Sequence, residues 1–321
     1  MSEPAEQHSD GGAGIAGEAF VDRGPCPLCG GTRFETVHDF AKVPVRRCAA
    51  CGFVHSARVM TAEGARRYYA GEFGSERHRD GQILNAAINE RVLARLVDLR
   101  PVRTFLDVGA GYGFLLARLR DRRGIRGVGV ELSAAEAAHG VERLGVDIRR
   151  GTLEEAGLPE GSFDLVTAFE VIEHVQDPVP FVRSLARHCR PGGHVVIGTD
   201  NFESPTVRRL GAEFRKWIPH SHVSHFGPAT LTRCVEAAGG LAVTGGGSFT
   251  PWENVLQRAL MRRAPRPAAE AFDLDAFVRT EMSRGYRMFG VRRRISAAWF
   301  GLRWRRSMNG AMMYLAARRE G

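Results

Sequence analysis

The chain has 321 residues, 44% of them hydrophobic, which is enough for one large domain with a sizeable core and one small domain. The net charge of +9 permits acidic partners, but only two of the 45 basic residues, Lys42 and Lys216, are lysines, so this arginine bias identifies no partner class by itself. The sequence has no run of 18 apolar residues and no basic-then-apolar start, which argues against a membrane-spanning helix or a signal peptide and predicts a cytoplasmic protein.

The N-terminal part of the chain predicts a disordered tail followed by a small metal-binding module. Residues 1–19 are polar, rich in glycine and alanine, and without periodicity. Two C-x-x-C pairs lie within residues 20–57, with eighteen residues between their inner cysteines and a glycine after each pair. This spacing is typical of a tetrahedral zinc site with four thiolate ligands, which are Cys26, Cys29, Cys48 and Cys51.

Two other uses of these cysteines are less well supported. Two disulfides are not expected in a reducing cytoplasm, and a thioredoxin-type redox pair needs one C-x-x-C to open a helix. We therefore predict a structural zinc ribbon over residues 20–57, which has no open coordination position for catalysis because all four ligands are cysteines. Cys189 and Cys234 lie far along the chain and are predicted to be packing residues.

The segment that follows the ribbon, residues 58–100, is predicted to be helical. Thr61 and Glu63 form an N-cap and an acidic first turn, and apolar residues from Ile83 to Val97 recur at helical spacing. We therefore expect a helical cap ahead of the large domain.

The large domain, predicted over residues 101–249, begins with a buried strand, a glycine-rich turn and a helix. The apolar run 104–108 is followed by Gly109, Gly111 and Gly113, and helical apolar spacing begins at Phe114. Glycines at such a turn allow positive φ and let a ligand approach closely, and the free N–H groups of the following helix point at that ligand. The spacing is G-x-G-x-G rather than the dinucleotide fingerprint G-x-G-x-x-G.

Further strands and helices alternate after this turn, which predicts a doubly wound, mostly parallel α/β sheet with ligands at the carboxyl ends of its strands. A second apolar strand ends at Glu131, about where a ribose-binding carboxylate belongs. The predicted parallel strands are Phe105–Val108, Gly127–Val130, Val146–Arg149, Leu165–Ala168 and Val195–Gly198.

Four motifs in order over about residues 100 to 250 resemble the class I S-adenosylmethionine-dependent methyltransferases, in the small-molecule branch that includes ubiquinone-pathway and secondary-metabolite enzymes. They are the acid-x-G-x-G-x-G motif at Asp107–Gly113, the acid Glu131, the E-V-I-E-H motif at Glu170–His174, and the R-P-G-G turn at Arg190–Gly193. The resemblance implies a seven-stranded Rossmann-like sheet and S-adenosylmethionine as the cofactor.

The resemblance also implies which residues contact the cofactor: Asp107, Gly109, Ala110, Gly111, Gly113, Glu131, Leu132, Thr152, Leu153 and Glu170. In the family an aspartate commonly follows the glycine after the third strand and meets the adenine amine. Thr152 stands at that place here, so we expect the adenine contact from a backbone group or from Leu153.

Histidines are the candidate bases, because the pKa of histidine lies near neutrality and methyl transfer to a hydroxyl or carbon acid often needs removal of a proton. His174 closes the E-V-I-E-H motif, and His222 and His225 match the polar positions of a turn that faces the acceptor in many relatives. Three histidines in the six residues from His220 to His225 also suggest a metal, but no carboxylate or cysteine completes the set nearby in the sequence. A role as helix cap or hydrogen-bonding partner is the alternative for each.

The C-terminal part of the chain departs from the family. A sixth strand is predicted at residues 241–248 and a seventh at residues 309–317, within a terminal segment, residues 307–321. A basic insertion of helical character, residues 250–306, separates them. Residues 290–306 combine arginines with tryptophans, which favours either a solvated helix or peripheral contact with an anionic membrane or a phosphate-bearing acceptor. An insertion at this edge is a candidate substrate lid.

We therefore predict a zinc-ribbon-bearing methyltransferase that transfers a methyl group to oxygen, or to carbon of a nucleotide-linked sugar, on a small-molecule acceptor. The alternative is an RNA methyltransferase that uses the ribbon for recognition. The E-V-I-E-H motif, the lack of an N/D-P-P-Y/F motif and the lack of an aromatic run in the ribbon argue against nucleic acid. These residues identify neither the acceptor nor an oligomeric state.

Overall fold

The computed structural model describes residues 20–40, 43–71, 76–214, 216–260 and 289–321. The predicted disordered tail, residues 1–19, lies outside the described residues. The strands are β1 (Phe20–Asp22), β2 (Phe34–His38), β3 (Val45–Cys48), β4 (Val54–Ser56), β5 (Arg58–Met60), β6 (Thr104–Val108), β7 (Arg126–Glu131), β8 (Asp147–Arg150), β9 (Phe163–Phe169), β10 (Cys189–Asp200), β11 (Ser224–His225), β12 (Leu241–Phe249) and β13 (Met312–Arg319). The helices are α1 (Ala62–Gly71), α2 (Glu76–Leu96), α3 (Phe114–Arg123), α4 (Ala134–His139), α5 (Pro178–His188), α6 (Pro205–Leu210), α7 (Pro228–Ala238), α8 (Trp252–Leu260) and α9 (Phe289–Arg303).

The central element is a seven-stranded sheet in the order β12-β13-β10-β9-β6-β7-β8. Strands β6 to β10 pair in parallel, and β13 pairs antiparallel with both β10 and β12. Side chains of β6 alternate between two buried clusters, with Phe105 packed towards α2 and α3 and Leu106 packed towards α5 and α7. The predicted mostly parallel, Rossmann-like sheet with helices on both faces is confirmed.

The last strand begins later than the sequence predicts. Strand β13 starts at Met312, three residues after the predicted start at Asn309, because the preceding residues form a turn held by Asn201. The amide of Asn201 donates to the carbonyls of Met308 and Gly310, and a Cβ on Gly310 would lie 2.7 Å from the carbonyl oxygen of Phe249.

The small N-terminal module shares a sheet with the large domain. Strands β2, β3 and β4 form an antiparallel sheet whose fourth member is β11. Strand β11 belongs to residues 220–225, which we call the histidine-rich segment. Ser224 pairs with His55 and His225 pairs with Val54. The ribbon is therefore joined to the histidine-rich segment by main-chain pairing.

The described part of the insertion packs against the edge of the large sheet. Phe300 and Trp304 are buried with Val92 of α2 and Tyr314 of β13. The Trp252 indole N–H donates to the hydroxyl of Ser296 and links α8 to α9. Residues 261–288, which include part of the predicted lid, lie outside the described residues. None of the helices in the described ranges has both the length and the apolar character needed to cross a bilayer.

Candidate active site

The glycine turn connects β6 to α3 in a conformation that favours glycine. Gly109, Gly111 and Gly113 have φ values of 75°, 53° and 77°. The amide of Gly109 donates to the carbonyl of Val130, which holds the turn against β7. A Cβ on Gly111 would lie 2.1 Å from Oε1 of Gln82, so only glycine allows α2 to approach the turn this closely.

Glu131 lies beside this turn, at the carboxyl end of β7. Its Oε2 accepts from the amide of Gly111 and its Oε1 from the amide of Ser133, both at 2.8 Å. Burial raises the pKa of Glu131. Each carboxylate oxygen can accept a second hydrogen bond, so the group can hold two hydroxyls while it orders the turn. Leu132, the next residue, is 44% exposed, and a cofactor contact through it stays a prediction.

Asp107 lies beneath the turn and is fully buried. Its Oδ1 accepts from the hydroxyl of Thr167 on the neighbouring strand at 2.6 Å. Burial raises the pKa of Asp107 to about 7. The side chain is thus bonded within the sheet rather than aimed at solvent, and Ala110, which follows in the turn, is also buried.

Gln82 of α2 is a further site residue, and sequence reasoning missed it. Its Oε1 accepts from the amide of Tyr112 at 2.9 Å, and its Nε2 donates to the carboxylate of Glu136 at 2.9 Å. The imidazole of His78 lies 3.0 Å from the same carboxylate. The only signal in the sequence is a polar residue in the helical cap; the contacts arise because α2 crosses the glycine turn.

The predicted adenine region has a local hydrogen-bond pattern. The Thr152 hydroxyl accepts from the amide of Glu155 at 3.3 Å, and the Thr152 amide donates to the Glu155 carboxylate at 2.9 Å. The Leu153 side chain is buried in the core. A cofactor contact through Thr152 or Leu153 stays a prediction.

Glu170 lies at the carboxyl end of β9 and has a φ of 55°, a left-handed conformation that costs a non-glycine residue of its size about 1 kcal/mol or more. Its Oε1 accepts from the ammonium of Lys216 at 2.9 Å and its Oε2 from the amide of Asn85 at 2.8 Å. The Lys216 charge lowers the pKa of Glu170. The same ammonium lies 3.1 Å from Asp200. Sequence reasoning missed Lys216 and Asn85, which come from distant segments.

The structure brings His174 and His222 together, with ring centroids 4.7 Å apart. Nδ1 of His174 is 3.1 Å from the carbonyl of Ser221, and Nδ1 of His222 is 3.0 Å from the carbonyl of Lys216. Burial lowers the pKa of His174 to about 4 and that of His222 well below its usual value. Since a carbonyl only accepts, each neutral ring carries its proton on Nδ1 and presents Nε2 as the acceptor.

A carboxylate completes this histidine pair, contrary to the expectation from sequence proximity alone. Glu173 is fully buried, and its Oε2 accepts from the hydroxyl of Thr199 at 2.8 Å. Ligand atoms of Glu173, His174 and His222 all lie within 4.8 Å of one another. Burial raises the pKa of Glu173 to about 8. The expectation failed because it considered only residues near His222 along the chain.

His225 lies in a different cluster. Its ring is 4.5 Å from that of Phe202 and 4.7 Å from that of Trp217, and it is 1% exposed. Burial lowers the pKa of His225 well below its usual value. Its contacts are thus those of a core histidine at the junction with the ribbon.

The four ribbon cysteines have the geometry of a metal centre. Cys26 and Cys51 have sulfurs 3.6 Å apart, as do Cys29 and Cys48, and all four sulfurs lie within 4.8 Å of one another. These separations are too long for disulfides and close to the roughly 3.8 Å between sulfurs in a tetrahedron with zinc–sulfur bonds of about 2.3 Å. The donor set therefore fits structural zinc.

A family model described as a methyltransferase domain matches residues 76–243, just over half of the chain. The chain belongs to this methyltransferase family. The match includes the glycine turn, Glu131, the E-V-I-E-H motif and the histidine-rich segment.

Two relatives with more than 30% sequence identity agree with this membership. The chain is 34% identical over 151 residues to the ubiquinone biosynthesis O-methyltransferase of Aeromonas salmonicida, covering 43% of this chain and 62% of the relative. It is 35% identical over 184 residues to that of Xanthomonas oryzae pv. oryzae, covering 53% of this chain and 76% of the relative. It therefore spans less than two thirds of the Aeromonas relative. A solved S-adenosylmethionine-dependent methyltransferase from Mesorhizobium loti has a TM-score of 0.45 and 17% identity, covering 74% of this chain and 100% of that one.

Proposed function

We propose that the protein transfers a methyl group from S-adenosylmethionine to a small-molecule acceptor. The observation that carries this proposal is the pairing of the glycine turn with the Glu131 carboxylate at the carboxyl ends of β6 and β7. Such a site matches the ribose and carboxylate-bearing portions of the cofactor. The methyltransferase family model and the O-methyltransferase relatives support the same activity. Nothing in these matches supports the RNA alternative.

We propose that the chain orients the acceptor, excludes water from the site and removes a proton from the acceptor. The cofactor supplies a methyl group bound to a positively charged sulfur, so transfer needs in-line approach of the acceptor. The Nε2 atoms of His174, which is half-buried, and of His222, which is buried, are the proposed proton acceptors for an acceptor hydroxyl. The contacts of His225 make it the weakest of the three candidates. Methyl transfer to oxygen is the leading reaction, and transfer to a sugar carbon is the second.

A second role for this cluster rests on its ligand set. One carboxylate and two imidazoles are ligands that suit a divalent transition metal or zinc. Each is oriented by a hydrogen bond: His174 donates to Ser221, His222 donates to the carbonyl of Lys216, and Glu173 accepts from Thr199. A metal held there would polarise the acceptor oxygen. Glu173→Gln separates the two roles, because glutamine preserves the contact with Thr199 and removes the anionic ligand.

With a metal in this role, the wild-type protein holds two metal ions per chain, and E173Q holds only that of the ribbon and loses methyl transfer. With histidine as base alone, both proteins hold one metal ion and E173Q retains most of the activity. Metal content by mass spectrometry and initial rates distinguish the outcomes, because the ribbon cysteines are intact in both proteins.

Peripheral contact of residues 290–306 with an anionic membrane is a further proposal. Val291, Ile295 and Leu302 lie on one exposed face of α9 and are 47%, 46% and 69% exposed, and arginines flank them. A cytoplasmic location likewise stays a prediction.

The function is tested with a label-transfer assay and one cofactor-site variant. Purified protein is incubated with methyl-labelled S-adenosylmethionine and a cell extract that is then separated into metabolite, lipid and RNA fractions. Label is expected in the metabolite or lipid fraction, and label in RNA would contradict the proposal.

Glu131→Ala is expected to weaken binding of S-adenosylhomocysteine by roughly 1.5–3 kcal/mol, or about 10- to 150-fold, because the variant loses a charged hydrogen-bond acceptor. Isothermal titration calorimetry measures this change. The control is Glu142→Ala, which removes an exposed carboxylate from another element. An unchanged affinity in E131A would sink the role of Glu131.

A further inference from the structure

A cavity lies away from the glycine turn, between α2, α3 and α9. Its volume is about 360 Å³, and its walls carry five arginines but a single carboxylate. The lining charged residues are Glu90, Arg91 and Arg95 of α2 and Arg118, Arg122 and Arg123 of α3. Helix α9 closes the cavity with Ala297, Phe300 and Gly301.

The carboxylate of Glu90 organises three of these arginines. Glu90 is 3% exposed, and its carboxylate forms ion pairs with the Nε groups of three arginines. Nε of Arg118 contacts Oε2, and Nε of Arg122 and of Arg123 lie 3.4 Å and 3.1 Å from Oε1. The positive charges lower the pKa of Glu90 although its burial alone would raise it. One buried anion thus holds three guanidinium groups close together.

The arginines retain most of their hydrogen-bonding capacity. Within the described ranges, the terminal nitrogens of Arg118, Arg122 and Arg123 make no hydrogen bond to protein, because Glu90 engages only their Nε groups. The cavity therefore combines four uncompensated positive charges with planar donors fixed in position. Tetrahedral oxyanions bind such a set through paired N–H···O contacts.

We propose that this cavity binds a phosphate-type oxyanion, carried by a phosphate- or diphosphate-bearing small molecule or by a lipid headgroup. The site is independent of the proposed methyl transfer. Arginines spread over a solvated surface would instead be separated or individually paired with carboxylates. Here three of them converge on one buried carboxylate, and the small side chains of Ala94, Ala297 and Gly301 leave the space in front of them open.

The first test measures binding of inorganic pyrophosphate to the full chain by calorimetry at 150 mM salt, chosen as about physiological ionic strength. The wild-type protein is expected to bind one pyrophosphate saturably. The double variant Arg122→Gln and Arg123→Gln is expected to bind at least about tenfold more weakly. The control pair Arg208→Gln and Arg209→Gln removes the same charge from an exposed face of α6 and is expected to bind as the wild type does.

A second variant leaves every arginine in place. Gly301→Glu adds a negative charge at the cavity wall, at a position where a Cβ meets no atom within 4 Å, and should weaken pyrophosphate binding at least about tenfold. Gly290→Glu is the matched control, because Gly290 is on the same helix, has equal space and does not line the cavity. The proposal would be overturned if the wild type showed no saturable pyrophosphate binding. It would also be overturned if both control variants lost as much pyrophosphate affinity as the cavity variants.

Vesicle flotation distinguishes the two sources of the phosphate group. Binding to phosphatidylglycerol vesicles that pyrophosphate competes away, and that G301E loses, assigns a lipid headgroup. Pyrophosphate binding without vesicle binding assigns a soluble phosphate compound.

Discussion

His174 and His222 are neutral because they are buried, and two backbone carbonyls set their tautomers. A histidine with a lowered pKa is a weaker base, but it is deprotonated at neutral pH and ready to accept a proton. Lys216 stands next to them, and the carboxylates of Asp200 and Glu170 raise its pKa although burial opposes this, so it stays charged. The cluster thus places a fixed positive charge beside two neutral acceptors.

We predict that His222→Asn lowers kcat by about 10²- to 10⁴-fold, the usual contribution of a general base, and leaves the affinity for S-adenosylhomocysteine unchanged. Asparagine can still donate to the Lys216 carbonyl but cannot accept a proton. Steady-state rates and calorimetry measure the two effects. His225→Asn is the comparison, and a larger fall of kcat in that variant, with the melting temperature preserved, would move the base to His225.

The residue types at the glycine turn could be predicted from the sequence, because glycine spacing and a strand-terminal acid are local signals. Gln82, Asn85 and Lys216 could not, since their roles depend on which segments cross the turn and the end of β9. The same reason explains why Glu173 did not appear as a partner of His222.

At the scale of elements, the ribbon and the histidine-rich segment behave as one sheet. Strand β4 pairs with β11, the Ser56 hydroxyl donates to the carbonyl of Pro219 at 2.6 Å, and the Ser56 amide donates to Val223. The guanidinium of Arg23 also donates to Val223 and Gln176. A metal held by the four ribbon cysteines would therefore also support the segment that carries His222.

We predict that Cys48→Ser lowers the zinc content and increases amide hydrogen exchange over residues 219–226, with a lower kcat, while the large sheet stays folded. The reason is that zinc binding supplies much of the folding free energy of a module this small. Hydrogen exchange by mass spectrometry locates the change, and Cys234→Ala, which removes a buried cysteine outside the cluster, is the control.

Full zinc occupancy in C48S would argue against four thiolate ligands. Lost zinc with unchanged exchange over 219–226 would argue against the shared sheet as a support.

For the whole molecule, the insertion is the feature that most changes the arrangement. In the chain it separates β12 from β13, yet the two strands pair along nearly their full length. Trp304 packs over Gly247 of β12, where a Cβ would lie 2.2 Å from the indole ring. The described part of the insertion thus rests on the sheet edge and on α2, and it forms one wall of the arginine-lined cavity.

The sequence by itself determined the parallel sheet, the order of the four motifs and the four-cysteine cluster. Each of these follows from short-range patterns: apolar runs that alternate with amphipathic segments, glycines that need positive φ, and cysteine pairs at ligand spacing. Only the tertiary structure decided the cluster of Glu173, His174 and His222, the junction between the ribbon and the histidine-rich segment, and the cavity around Glu90. These depend on contacts between residues tens to hundreds of positions apart, whose pairing is set by the packing of whole helices and strands rather than by any local pattern.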